Sequence, residues 1–400
     1  MKWPTQRFGD LYSIPSRNGM SRPSRVRGEG YKMVNMGELF AHDRIGDIPM
    51  ELVPMNQKEL EQSSLCAGDL LFARQSLVLE GAGKCSIVTA VPEITTFESH
   101  LIRVRLSNEK SDPRFYYYLF SSPYSGMSTI VQQCAQAGIR ASSLAELKVL
   151  APPLETQERI ADTLTAYDDL MENNRRRMAL LEESARLLYQ EWFVRLRFPG
   201  HEHTRLVDGV PVGWERKTLG DVCTDIRDTV SPDEVEPDSP YIGLEHIPRR
   251  SISLTDWGKA DAVTSTKHRY IEGDILFGKI RPYFHKVGIS FTDGVASSDA
   301  IVIRPFDHTM RALVLMTTSS DEFVAEASQT AREGSKMPRA DWKLMLKFPF
   351  AVPPSVLLTD FSESISDITS QLRNLCFQNQ KLRTARDLLL PRLMSGEIKV

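Results

Sequence analysis

Two stretches of this chain place apolar residues at spacings that alternate four and three without a break. The first runs through Ile160, Leu164, Tyr167, Met171, Asn174, Met178, Leu181, Ala185, Leu188 and Trp192. The second runs through Phe361, Ile365, Ile368, Leu372, Leu375, Asn379, Leu382, Arg386 and Leu389. A repeat of about 3.5 residues predicts two long helices sharing a coiled-coil seam. The alternative is two amphipathic helices packed on their own domains, for which a period of about 3.6 is expected. If the helices are antiparallel with Trp192 facing Phe361, Leu188 faces Ile365, Ala185 faces Ile368, Leu181 faces Leu372 and Met178 faces Leu375. In that register the only two seam asparagines, Asn174 and Asn379, meet, and Tyr167 meets Arg386. A slip by one heptad leaves an amide against an apolar or charged neighbour, at about 1–3 kcal/mol. Pro391 is expected to break or kink the second helix, ending the pairing near Leu389. Each helix of about 30 residues spans roughly 45–50 Å.

The remaining sequence reads as two copies of one plan. Phe8-Gly9-Asp10-Leu11 returns as Leu219-Gly220-Asp221-Val222, and Gly68-Asp69-Leu70-Leu71-Phe72 as Gly273-Asp274-Ile275-Leu276-Phe277. Gly138-Ile139-Arg140 is matched by Gly334-Ser335-Lys336, Pro152-Pro153 by Pro353-Pro354, and Leu181–Leu188 by Leu382–Leu389. Short β-rich runs at Ser86–Val91, Leu101–Leu106, Val287–Phe291 and Ala300–Arg304 lie between Gly, Pro, Asp and Ser. Helical patterns occur at Arg114–Ser121 and Arg311–Thr318. The expected class is α+β: two similar globular domains separated by a long antiparallel two-helix coiled coil, a dumbbell with pseudo-twofold symmetry. The expected divisions are a first domain over 1–153, a first spacer helix over 154–195, a linker and second domain over 196–352, and a second spacer helix over 353–400.

Composition narrows the function classes. With 41% hydrophobic and 25% charged residues and a net charge of −3 over 400 residues, the chain is neither disordered nor a uniformly basic nucleic-acid coat. No apolar run approaches the roughly 20 residues of a membrane span, and the start of the chain lacks the apolar core of a secretion signal. The five cysteines are odd in number and widely spaced, against a disulfide framework or zinc ribbon. A reducing cytoplasm is expected, with no membrane association.

Enzyme signatures are fragmentary. Ser121-Ser122-Pro123-Tyr124 has one proline where an amino-methyltransferase loop needs two, and no Gly-x-Gly-x-x-Gly is present. Gly81-Ala82-Gly83-Lys84-Cys85 looks like a phosphate loop but lacks its first glycine, at Val78, and its hydroxyl, at Cys85. Asp341-x-Lys343 and Glu397-x-Lys399 lack a partner acid. His201-x-His203 lacks a further metal ligand and sits in the flexible-looking stretch Phe198–Val212. No catalytic residue and no metal site is expected.

Basic and amide side chains of the kinds that can contact nucleic acid are concentrated in a few loops. Residues 16–28 carry Arg17, Arg22, Arg25 and Arg27 without an acid. Lys279, Arg281, Tyr283 and Lys286 follow the second Gly-Asp turn, and Arg74 and Gln75 follow the first. Arg140 lies in the polar segment 138–143, and Lys336 and Arg339 in 334–339. Arg and Lys bind phosphates, Arg forks read guanine edges, and Gln, Asn and Ser can read bases too. For any single position the alternative is a solvated surface charge. Arg175-Arg176-Arg177, mid-helix beside Glu172, Glu182 and Glu183, suits either a DNA or partner contact or a solvated flank.

The order of these pieces resembles the specificity subunits of type I restriction–modification systems. The resemblance is carried by Ala151-Pro-Pro-Leu-Glu-Thr-Gln-Glu-Arg-Ile160, Asn173-Asn174-Arg175-Arg176-Arg177, Leu180–Ser184 through Glu191-Trp192-Phe193, the Gly-Asp turns, and Leu388–Glu397. One departure is Pro353-Pro-Ser-Val-Leu-Leu-Thr359, which lacks the Gln-x-x-Ile of the first copy. The resemblance implies a non-catalytic subunit in which each globular domain reads one half of a split double-stranded DNA target. It implies helices that set the gap and dock two modification (M) subunits, with restriction (R) subunits in a larger complex. AdoMet, ATP and Mg would then bind those partner subunits, not this chain. A stand-alone regulator with two half-site readers and a protein-binding scaffold share the expected fold. They are separated by whether a methyltransferase co-purifies.

Overall fold

The computed structural model describes residues 3–133, 137–331 and 337–400. The chain has mixed α/β content and divides into two compact units, residues 1–171 with 381–400, and residues 172–380. Both boundaries fall inside long helices, Leu154–Tyr189 and Ser355–Met394.

In the first unit a five-stranded sheet has the order Tyr12–Asn18, Leu101–Leu106, Leu70–Ala73, Cys85–Val88, Arg44–Ile45. In the second, the order Cys223–Ile226, Ala300–Pro305, Ile275–Gly278, Val287–Ile289 repeats its first four strands. Each unit also closes a two-stranded ladder between an early strand and the strand before its Pro-Pro: Thr5–Arg7 with Lys148–Leu150, and Glu215–Thr218 with Pro349–Val352. The helical patterns are realised as Pro113–Phe120 and Arg311–Thr318.

The Gly-Asp repeat has a structural cause. Gly68 and Gly273 adopt φ of +88° and +89°, a left-handed conformation that favours glycine. The aspartate that follows is turned inward, with Asp69 0% and Asp274 2% exposed. Asp69 accepts the Cys66 amide at 2.8 Å and two parallel bonds from Arg105 at 2.6 and 2.7 Å. Asp274 accepts the Ile271 amide at 2.9 Å and two from Arg304 at 2.7 Å each. The motif therefore ties a turn to a strand of the same sheet. Those ion pairs push the pKa values of Arg105 and Arg304 up.

The seam residues are buried or half-buried throughout. In the second unit the register is the one expected: the Asn174 side-chain amide donates to Asn379 Oδ1 at 3.0 Å, and the Trp192 and Phe361 rings lie 5.7 Å apart. In the first unit the polar layer differs. Arg386 pairs with Asp168 at 2.6 Å, not with Tyr167, and Asp168 also accepts the Tyr118 hydroxyl at 2.6 Å. A half-buried guanidinium beside a buried carboxylate takes the counter-charge that a phenol cannot supply, and Asp168 is one residue from the seam.

Pro391 does not end the second helix, which continues to Met394. Only one amide donor is lost, and the ladder resumes where the Ser395 amide reaches the Pro391 carbonyl at 2.9 Å. Leu390, Leu393 and Met394 then enter the first unit's core with Ile160, Ala161 and Leu164. The stretch from Phe198 is also structured: Phe198 is buried with its ring 4.9 Å from that of Trp214, and Leu206–Val207 pairs with Val210–Pro211. Gln157 explains the Gln of the first Pro-Pro segment. It is buried, donates to the Pro152 carbonyl at 2.8 Å and accepts the Asp112 amide at 3.0 Å. At the corresponding place of the second copy Leu358 is buried instead.

The asparagine layer has a direct test. In a Cys376→Ser background, Asn174→Cys with Asn379→Cys forms a disulfide under mild oxidation, whereas Asn174→Cys with Leu372→Cys does not. Asn174→Leu alone lowers unfolding free energy by about 1–3 kcal/mol, because Asn379 loses its partner. Preferential 174–372 cross-linking overturns the register.

Candidate nucleic-acid interface

In both units the residue after the Gly-Asp strand leaves the sheet and is caught by a second segment. In the first, the Arg74 amide donates to His100 O at 2.8 Å, and the Arg74 carbonyl accepts the Ile139 amide at 2.9 Å. In the second, the Lys279 amide donates to Asp299 O at 3.0 Å, and the Lys279 carbonyl accepts the Ala340 amide at 2.9 Å. Gln75 pairs with Gly138 and Ile280 with Arg339. The two loop groups singled out in the sequence thus share one edge in each unit. Nothing in the linear spacing says that positions 65 residues apart should join.

Not every candidate cation is presented alike. Arg17 lies exposed at the same end of the sheet as Arg74, through the pairing of Asn18 with Ile102 and Ile102 with Phe72. Its guanidinium reaches Gln62 at 2.6 Å. Arg22 is paired with Glu59 at 2.6 Å and Arg27 with Glu51, so these two hold the segment 20–30 against its own unit. Arg25 and Arg140 are exposed, with no side-chain partner among the described residues. Lys336 lies outside the described residues.

In the second unit Lys279 donates to the Ser298 carbonyl at 2.5 Å, and Arg339 stands 3.4 Å from Asp299 while remaining exposed. Lys286 is half-buried against the Leu244 carbonyl; burial and the neighbouring Arg249 hold its pKa below the ordinary lysine value. Arg281 and Tyr283 are exposed. Arg281 and His285 adopt φ of +49° and +53°, a strained choice for side chains with a Cβ. His285 is pinned there, buried, with Nε2 2.8 Å from the Ser319 carbonyl, and burial pushes its pKa down.

Sequence reasoning missed Arg249, whose guanidinium carbon sits 4.0 Å from the centre of the Phe284 ring. The signal was the pair Arg249-Arg250 after Pro248, in a loop far from the Gly-Asp turn. On the helix, Arg175 and Arg176 pair with Glu172 at 3.4 and 3.3 Å, while Arg177 is exposed. Lys84, of the phosphate-loop look-alike, is 3.1 Å from Asp43 and donates to the Phe40 carbonyl at 2.9 Å. No cluster of metal-ligating side chains occurs among the described residues, and no helix among them is long and apolar enough to cross a membrane.

Each α/β unit thus presents an edge of this kind lined by Arg, Lys or Gln, side chains that can bind phosphates and base edges. Residues 2–183 match the family described as the type I restriction modification DNA specificity domain. The chain is 26% identical over 311 residues to the type I restriction enzyme MjaIX specificity subunit of Methanocaldococcus jannaschii, covering 72% of this chain and 69% of that one. It is 28% identical over 163 residues to the EcoKI specificity subunit of Escherichia coli, covering 39% of this chain and 35% of the relative. Its fold is similar to the crystal structure of the type I restriction–modification S subunit from M. genitalium, with a TM-score of 0.59 at 14% identity over 98% of this chain and 96% of that one. The similarity to type I specificity subunits read from the sequence therefore holds in sequence and in fold.

Proposed function

We propose that this chain is the DNA sequence-specificity subunit of a type I restriction–modification complex and performs no chemistry itself. The observation that carries the reading is the duplicated edge: the same backbone hydrogen bonds present Arg74, Gln75 and Arg140 in one unit and Lys279, Arg281 and Arg339 in the other. Two such edges suit a target read as two half-sites, with cations on phosphates and forked or amide side chains on base edges. Residues 1–153 and 196–352 form the two readers. The helices 154–195 and 353–400 form the spacer of a dumbbell and the dock for two modification subunits. The seam contacts inside each unit support that arrangement. Restriction subunits join the larger complex in the cytoplasm. AdoMet, ATP and Mg belong to the partners, in which adenine methylation and ATP-dependent cleavage take place.

Mapping methylated adenines in the host genome tests this reading. One bipartite motif should be methylated, and methylation should vanish on deletion of this gene while a methyltransferase co-purifies with its product. A chain that purifies as a lone homodimer on DNA, with methylation unchanged by the deletion, is a regulator instead.

A further inference from the structure

We propose that each reading edge carries an apolar wedge that enters the DNA duplex and parts a base step: Leu77 with Val78 in the first unit, Tyr283 in the second. The inference rests on the DNA-reading function proposed above and adds a mode of binding to it. In the first unit the chain between Ser76 and Gly81 exposes three consecutive apolar side chains, with Leu77 88%, Val78 59% and Leu79 46% accessible. This is a built tip. Its base is tied by the Val78 amide to Ser76 Oγ at 3.2 Å, by the Gly81 amide to Val78 O and the Ala82 amide to Leu79 O at 3.2 Å each, and by the Gly83 amide to Ala73 O at 2.8 Å.

The second unit has an exposed ring at the matching place, between the strands Ile275–Gly278 and Val287–Ile289, where the first unit has its tip between Leu70–Ala73 and Cys85–Val88. Tyr283 is 56% exposed on a turn closed by the Phe284 amide to Arg281 O at 2.9 Å and the His285 amide to Pro282 O at 2.8 Å. Two independent copies of the fold thus hold an apolar side chain in water at the same position.

The surroundings select the partner. Arg74 and Gln75 lead into the first tip, and exposed Arg140 is brought to its base by the strand pair 75–76 with 137–138. Arg281 and Arg339 flank the second tip and Arg249 covers Phe284 beside it. Glu80 is exposed in the first tip and Asp299 pairs with Arg339 beside the second, but Arg74 and Arg140 in one unit and Arg249, Arg281 and Arg339 in the other outnumber them, and an apolar tip in a net positive surround matches a polyanion with an apolar interior. On a duplex the broad apolar surfaces are the base faces, which become accessible only when a step is opened. Base faces accept aliphatic and aromatic side chains alike, which accounts for Leu-Val in one copy and Tyr in the other. Wedges of this kind unstack a step and kink the helix axis.

The test uses the full chain with its co-purifying subunits and no methyl donor. The probes are duplexes carrying the motif found by methylation mapping, with 2-aminopurine at each position in turn except the methylated adenines and their immediate neighbours, whose emission would report base flipping by the methyltransferase, and a longer fragment with the motif circularly permuted. Wild type should raise 2-aminopurine emission severalfold at one step in each half-site and bend the fragment. Leu77→Ser/Val78→Ser should abolish the rise in one half-site only, reduce the bend, and weaken binding about tenfold; Tyr283→Ala should do the same in the other half-site. Both tips are exposed, so unchanged thermal unfolding of the variants separates these effects from misfolding. If the tip variants leave emission and bend unchanged while Arg74→Ala/Arg140→Ala weakens binding, the wedge is overturned and DNA reading stands. If the tip variants instead lose co-purifying subunits with DNA binding intact, the tips are protein contacts and the wedge is again overturned. If neither set affects DNA binding, the DNA-reading function of this edge fails with it.

Discussion

Asp69→Ala should destabilise the first unit by roughly 2–4 kcal/mol. The carboxylate is fully buried, caps its turn through the Cys66 amide and takes both arms of the Arg105 fork. Removing one member of a buried pair leaves the other desolvated without its counter-charge, which costs about 3–5 kcal/mol in fully buried cases. Arg105 keeps 28% of its side-chain surface in water, which places the figure below that range. Asp274→Ala should act alike in the second unit through Arg304. Urea unfolding reads both. Trp192, Trp214, Trp257 and Trp342 belong to the second unit, so tryptophan emission follows Asp274→Ala, and amide hydrogen exchange follows Asp69→Ala. Asp69→Leu with Arg105→Met should recover part of the loss, since an apolar pair leaves no uncompensated charge. A change below about 0.5 kcal/mol for both single variants would show that the Gly-Asp motif is not a structural tie.

Exchanging one reader for that of a relative should change one half of the methylated motif and leave the other half intact, on the function proposed above. Each altered base pair is worth about 1–3 kcal/mol of discrimination. Two altered pairs therefore move preference by about 30-fold or more. The boundary of the exchange matters. Ile160, Ala161, Leu164, Leu390, Leu393 and Met394 share one core with Phe8, Phe72 and Tyr116. Transplanting 1–153 alone puts foreign side chains against these native ones, and mispacked cores cost typically 1–3 kcal/mol. Transplanting 1–171 together with 381–400 carries the whole core and should unfold at wild-type urea concentrations with the same new specificity. Simultaneous change of both halves of the motif would overturn modular reading.

Much of the architecture was legible in one dimension because it depends on period and repetition. The 3.5-residue spacing places one stripe on each helix whatever surrounds it, so the seam and the Asn174–Asn379 layer followed from counting. The Gly-Asp motif recurs because only glycine takes φ near +88° without a Cβ clash and because an inward carboxylate caps the turn, so both copies kept both residues. Family resemblance was legible for the same reason: order and duplication survive where individual side chains vary.

Other features were decided only when distant segments met. Whether a basic residue is free or consumed depends on its spatial neighbour: Arg22 and Arg27 stand in an acid-free run of sequence yet are taken by Glu59 and Glu51. Arg386 found Asp168 because the counter-charge lay beside the seam and not in it. Pro391 was tolerated because the residues after it gained a core, and burial of Leu393 and Met394 offsets one lost hydrogen bond. Arg249 reached Phe284 across a loop that no periodicity describes. The sequence by itself determined the elements, their duplication and the helix register, all set by local conformation and spacing. Only the tertiary structure decided which charges face outward at the duplicated edge, because a side chain's availability depends on partners that the chain brings to it from far along its length.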